Sequence, residues 1–193
     1  EPEAAIQAAM ALFWKSGYHD LGTRQIEKET GITRFTLQTV YGGKMLLFLK
    51  ALDKYLDTFE VYAVPTMTDG NLDTIATWFD ARSDPALLPE VTCYGCLLLN
   101  SIVEFGGENE DVNLRASRFF DMVRGGFRNA LVAVKQTGGV SAEFEVDKMA
   151  EVLLGAAIGL NIVIRASGKN AAGANMANAT AALVRGWARP ADC

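Results

Sequence analysis

Apolar residues in this chain recur at helical spacing from one end to the other. Ile6, Ala9, Met10 and Phe13 stand at i, i+3, i+4 and i+7, the stripe of a helix that buries one face. Gly17 is placed to end that helix. Two short helices are expected over 24–30 and 34–40, separated by Gly31-Ile32-Thr33. A fourth begins near Lys44 and runs to about Val64, with Phe48, Ala51, Leu52, Tyr55, Phe59 and Tyr62 on one face. Pro65 and the Asp69-Gly70 pair then mark a loop. Further helices are predicted over 71–82, 95–106, 110–137, 144–167 and 171–188. Pro85 and Pro89, Gly106-Gly107, Gly138-Gly139 and Gly168 punctuate them. Val, Ile and Thr never alternate with polar residues for long enough to suggest a strand. The expected fold is all-α, with about nine helices. A three-helix head over 1–46 is followed by a helical bundle over 47–193.

Composition narrows this picture. The chain has 193 residues, half of them apolar, enough for a sizeable core. Its longest apolar stretch, Val152 to Ile164, is broken by Gly155, Gly159 and Asn161 and falls short of the roughly 20 residues of a membrane span. No basic segment leads into an apolar run with a cleavage site, so a cytoplasmic protein without a membrane partner is expected. The chain opens at Glu1 rather than Met, which leaves room for a native arm before it. The net charge is −5, but it is unevenly spread. Residues 1–54 hold 7 Lys or Arg against 6 Asp or Glu, and residues 55–193 hold 11 against 17. The basic excess lies in the head. Three cysteines argue against a secreted disulfide framework, and the single histidine, His19, against His-based metal sites. In its Gly-Tyr-His-Asp turn, His19 is expected to be exposed.

Thr23 to Tyr41 fits a helix-turn-helix. Thr23 is read as the cap of the first helix and Thr33 as that of the second. Gly31 falls where the tight turn needs positive φ. Ile26, Ile32, Leu37 and Val40 have the spacing to pack the two helices together and onto the first helix. That leaves Arg34, Phe35, Thr36, Gln38 and Thr39 on or near the outer face, where a helix in the major groove presents side chains to base edges. Phe35 has two readings: contact with a thymine methyl, or packing in the head's own core.

The run Ala5-Ile6-Gln7-Ala8-Ala9-Met10-Ala11-Leu12-Phe13, then Gly17-Tyr18, Thr23, Gly31-Ile32-Thr33, Leu37, Tyr41 and Lys44 resembles the N-terminal region of the TetR family over about 50 residues. Gly95-Cys96-Leu97-Leu98-Leu99-Asn100 is similar to a segment in the regulatory domain of one TetR subgroup. The resemblance implies a homodimer whose recognition helices read a palindromic double-stranded operator, with a small-molecule effector changing the spacing of the heads. It also implies backbone contacts from Thr23 and Arg24, contacts from Thr33, Arg34 and Thr36, and a phosphate contact from Lys44; Tyr41 joins this DNA-facing set. The sequence departs from the family pattern at Glu27, normally small, at Gln38 and Val40, often Tyr or His, and at Gly43, usually a Ser-type cap.

Outside the head, Cys93-Tyr94-Gly95-Cys96 has two readings. A thiol at a helix N-terminus can act as a sensor of oxidants, electrophiles or a soft metal, whereas a buried Cys96 is a small apolar residue. One local pair supplies too few ligands for structural zinc, and nothing calls for a cofactor. Phe59, Tyr62, Trp78, Phe119, Met122 and Phe127 are candidate walls of a ligand pocket, with Cys96, Asn100 and Asn161 as its chemical groups; plain core is the alternative for each aromatic. Gly155, Ala156, Ala157 and Gly159 permit close helix approach, and Leu153, Leu160, Ile164, Leu183, Val184 and Trp187 add apolar area for a dimer interface or for an intramolecular core. The expected function is a ligand-responsive regulator, most simply a repressor, and not an enzyme. The alternatives are a helical adaptor that no longer binds DNA, suggested by Glu27, Gln38 and Val40, and an all-α enzyme on a hydrophobic substrate, for which no nucleophile–base pair or phosphate loop is found.

Overall fold

The computed structural model describes residues 2–65, 70–82, 84 and 86–189. The expected loop and break residues Asp69 and Pro85 lie outside this range, as does Glu1. Within it the chain is all-α, with no strand among the described residues. The helices are α1 (Pro2–Ser16), α2 (Thr23–Thr30), α3 (Arg34–Thr39), α4 (Lys44–Tyr62), α5 (Leu72–Arg82), α6 (Leu97–Phe105), α7 (Glu110–Gln136), α8 (Val146–Ser167) and α9 (Ala174–Arg185). Short 3-10 turns over Glu90–Tyr94 and Asn170–Gly173 precede α6 and α9.

Helix ends follow local chemistry. Gly31 ends α2 at φ 72°, a left-handed conformation that glycine adopts without a Cβ penalty. Thr33 caps α3 by accepting from the Thr36 N–H at 3.1 Å. Thr23 does not cap α2: that position belongs to Gly22, which has no side chain to offer, and Thr23 is already helical. Gly95, at φ 74°, is needed for a second reason. A Cβ there would lie 2.7 Å from the Asn161 carbonyl oxygen.

The chain forms two compact units whose boundary crosses α4 and α7. Unit 1 comprises 1–59 and 96–119, and unit 2 comprises 60–95 and 120–193. The expected 1–46 head therefore lies inside a larger unit that also takes in most of α4, all of α6 and the start of α7. In unit 1 the stripe Ala9, Met10 and Phe13 is buried, together with Leu21, Ile26, Leu37, Phe48 and Leu52. Phe13 meets Phe48 edge-on at 5.0 Å, and Tyr18 and Phe105 close the cluster at 5.1 and 5.6 Å from Phe48. Arg115 clamps Asp53 with two hydrogen bonds of 2.8 Å, tying α7 to α4.

In unit 2, α5 packs on α9, and Arg185 of α9 binds Asp73 and Asp80 of α5. These two partners hold the Arg185 pKa above its ordinary value, the Asp73 hydrogen bond contributing most. Trp78, Phe79 and Phe127 form a ring cluster with centroids 5.0–5.6 Å apart. The α8 helix is longer than the interrupted apolar stretch predicted. At 22 residues it has the length and apolarity of a membrane span, yet Ala150, Leu153, Leu154, Ala157, Leu160 and Ile164 are buried within the fold. Ion pairs of its first turns with α7, Arg124–Glu151 and Arg128–Asp147, fasten its N-terminal half.

Because Phe127 is fully buried between two other rings, Phe127→Ala should cost about 3–5 kcal/mol. Urea denaturation of both proteins measures this, and a loss under about 1 kcal/mol would mean the cluster carries no packing energy of its own.

Candidate nucleic-acid interface

The α2–α3 pair is built as a helix-turn-helix. Ile26, Ile32 and Leu37 are buried, which turns the opposite face of α3 outward. On that face Arg34, Gln38 and Thr39 are exposed, and Phe35 is 77% exposed. The exposure of Phe35 settles its two readings: it is not part of the head's core. Thr36 is half-buried and engaged with the Thr33 side chain at 2.9 Å. The Thr39 hydroxyl donates to the Phe35 carbonyl at 2.9 Å. Arg34, Phe35 and Gln38 are thus the α3 side chains best placed to read bases, with a guanidinium fork, an apolar ring and an amide in one short turn of helix.

Two expectations exchange places. Val40 does not pack the helices together; it is the C-cap of α3 and 63% exposed. Tyr41 turns inward instead and is only 6% exposed, so its ring belongs to the core rather than to a DNA face. The cause is the early end of α3 at Thr39, which takes residue 40 out of the helical register. Thr23 is half-buried at the start of α2, where Arg24 is exposed. Glu27 is exposed, so its carboxylate does not enter the packing between α2 and α3. Gly43, at φ 105°, accepts the first backbone bond of α4 from Leu47 at 3.1 Å, which is the cap position that the family usually gives to Ser.

Lys44 opens α4 with its ammonium 4.3 Å from the centre of the Tyr18 ring. Burial lowers its pKa, while Glu104 and Asp20 pull it back up. Glu104 is the functional residue that the sequence reading missed. Its carboxylate, at the end of α6, accepts the backbone N–H of Tyr18 at 2.9 Å and that of His19 at 2.6 Å, and meets His19 Nδ1 at 3.0 Å. His19 is exposed as expected, but it is held by this contact and by the Phe105 ring. Burial, and then the Glu104 charge, raise the Tyr18 pKa. Nothing in the sequence signals this link, because Glu104 stands 86 residues from Tyr18.

The candidate ligand residues do not form one constellation. In unit 1, Cys96 is 2% exposed and accepts a hydrogen bond from the Tyr55 hydroxyl at 3.3 Å. Cys93 lies in the 3-10 turn and Cys96 caps α6, so the pair does not share one helical turn, and both are free thiols. Phe59 packs on the buried Phe119 at 5.1 Å, and Asn100 is half-buried. In unit 2, Phe127 is core, Met122 is half-buried, and Asn161 spends its amide on the Ala157 carbonyl at 2.8 Å within its own helix. Only Tyr62 and Trp78 line a cavity, of about 770 Å³, with residues of α5 and Leu87–Leu88.

The candidate dimer residues are also redistributed. Leu153, Ala157, Leu160, Ile164 and Val184 are buried inside the single chain, where they have no surface left for a partner. Trp187 lies beyond α9, half-buried against Phe144 at 5.4 Å. Of the expected set Leu183 alone is exposed, at 50%, and Val152, Ile162 and Val163 are the exposed apolar residues of α8.

A helix-turn-helix head with a helical regulatory part defines a class of DNA-binding regulators, and the comparisons identify which. The profile described as bacterial regulatory proteins, tetR family, matches residues 5–51, and the tetracyclin repressor-like C-terminal domain matches residues 73–180. The chain belongs to the TetR family, whose members are DNA-binding transcription regulators and not enzymes. It is 27% identical over 120 residues to the HTH-type transcriptional repressor ComR of Escherichia coli, a match over 57% of this chain and 53% of that protein. The chain thus spans about half the length of that curated relative. Its fold is similar to that of a TetR-family regulator from Cytophaga hutchinsonii, with TM-score 0.81 and 16% identity over 98% of this chain and 95% of that one. It is also similar to a cysteine mutant of the regulator CifR complexed with a 26 bp double-strand operator DNA, with TM-score 0.78 and 21% identity over 97% and 96%.

Removing the Glu104 carboxylate strips two backbone N–H groups of a charged acceptor. Glu104→Ala should destabilise the protein by about 2 kcal/mol, and Glu104→Gln, which keeps one acceptor oxygen, by less. Equal unfolding midpoints for all three proteins would show that water replaces the carboxylate at no cost.

Proposed function

We propose that this chain is a ligand-responsive transcriptional repressor that binds a palindromic operator in the cytoplasm as a homodimer and releases it when a small molecule binds. Residues 1–46 are the reading head in this proposal, and 47–193 carry dimerisation and the effector site. The observation that carries the reading is the outward face of α3, with Arg34, Phe35 and Gln38 exposed over the buried Ile26, Ile32 and Leu37. Operator DNA bound by the structurally similar CifR, and the repressor role of ComR, lend further support. Lys44 and Arg24 serve as phosphate contacts in this reading, the helix N-terminus adding to the attraction at Lys44.

Dimerisation rests on α8 and α9. Val152, Ile162, Val163 and Leu183 are apolar side chains that a single chain leaves in water. The small residues of α8 are partly used within the chain, since a Cβ at Gly159 would meet Met176 of α9. A small molecule is favoured over a cysteine-reactive signal because the Cys96 thiol is buried and holds the Tyr55 hydroxyl. The effector acts through its different affinity for DNA-bound and free conformations.

Selection from a random double-stranded DNA pool, at two salt concentrations, tests this. An inverted repeat should emerge whose affinity falls as salt rises. On that operator, Arg34→Ala should lose roughly 1–3 kcal/mol of binding and relax the preference at one position of each half-site. Phe35→Ala should weaken discrimination at a thymine-containing step by a similar order. Failure of the folded protein to enrich any motif would overturn the regulator reading.

A further inference from the structure

The geometry points to the cavity beside α5 as the effector site, and to an organic carboxylate with a flat or branched apolar body as its ligand. This inference rests on the ligand-responsive reading above. At about 770 Å³ the cavity falls in the size range of small-molecule sites. Its apolar wall is Tyr62, Trp78, Leu87 and Leu88, and its cation is Arg82. Tyr62 and Leu87 are otherwise exposed, at 73% and 65%, so a ligand would remove apolar surface from water.

The polar groups are unbalanced toward donors. Asp73, the one carboxylate of the lining, is bound by Arg185 at 2.8 Å. Asn71 turns its amide oxygen to the Thr74 N–H at 2.7 Å, which leaves its NH₂ as the group it can offer. The indole N–H of Trp78 is buried with no hydrogen-bond acceptor. Arg82 is stacked over Trp78, with its guanidinium carbon 4.3 Å from the ring centre. Stacking fixes the plane of the guanidinium, and a fixed plane suits the two oxygens of a carboxylate. A ligand that brings acceptor oxygens at one end and hydrocarbon at the other completes both halves of the site. A neutral hydrocarbon would leave the donors unmatched, and a cation would meet Arg82.

The test uses the full chain and four probes: 1-naphthoate, decanoate, and the neutral 1-naphthalenemethanol and 1-decanol. Calorimetry and tryptophan fluorescence report binding. At least one acid should bind saturably and about tenfold or more tighter than its alcohol, the scale of a charge-assisted hydrogen bond. Arg82→Gln should abolish that preference while leaving the alcohol's affinity unchanged. Leu87→Glu, at an exposed position that does not threaten folding, should weaken the acid and spare the thermal midpoint. Neither acid binding to the folded protein, or acid and alcohol binding alike, would overturn the inference, as would an acid preference untouched in Arg82→Gln. Operator binding is measured in parallel. If the operator is bound and a neutral or cationic compound releases it, the regulator reading stands and this inference fails. If the acids bind through Arg82 while no operator is found, the site stands and the regulator reading fails.

Discussion

A reading head of some 45 residues is too small to bury a core sufficient for its own stability, and the rest of unit 1 is arranged around that constraint. Phe13 and Tyr18 come from the head, Phe48 from α4 and Phe105 from α6, and their rings interlock at 5–6.4 Å. The head therefore shares its interior with the helices that follow it. Glu104 then fixes the α1–α2 turn by its backbone, which a rotamer change at Tyr18 or His19 cannot undo. The position of α3 in space depends on this shared core, since α2 and α3 are stacked on α1 through Ile26, Ile32 and Leu37.

The same contacts place a DNA-facing lysine under the influence of a distant helix. Lys44 lies over Tyr18 and within the fields of Glu104 and Asp20. A phosphate competing for Lys44 must draw it from these partners, so the end of α6 bears on the electrostatics of the interface without touching DNA. Unit 2 uses charge differently. Arg185 occupies Asp73 and Asp80, which ties α9 to α5 and silences the carboxylate that would otherwise answer Arg82 across the cavity.

The fold was legible because helices announce themselves locally. The predicted spans agree with α1 to α9 to within about three residues at each end, and Gly31, Gly106 and Gly168 end helices where expected. The reading face of α3 was legible for the same reason: six residues with one buried leucine leave little choice of outward face. Errors began where a residue's neighbours lie far away in sequence. Periodicity put Val40 inside and Tyr41 outside, because it assumed the helix continued. The apolar stripe of α8 was assigned to a partner although its own chain covers it, since burial by self and burial by a second copy demand the same residues.

Sequence alone determined the helical class, the order of the elements, the helix-turn-helix and the identity of its reading residues, all of which depend on spacing within a few residues. Tertiary structure decided which apolar faces are already spent, which leaves Val152, Ile162, Val163 and Leu183 rather than the predicted set in water. It also decided that Glu104 meets the α1–α2 turn and that Arg82 stacks on Trp78 beside a cavity. The physical reason is the range of the interactions. Helix propensity and capping act along the chain, whereas burial and charge pairing depend on which segments the folded chain brings within a few ångströms.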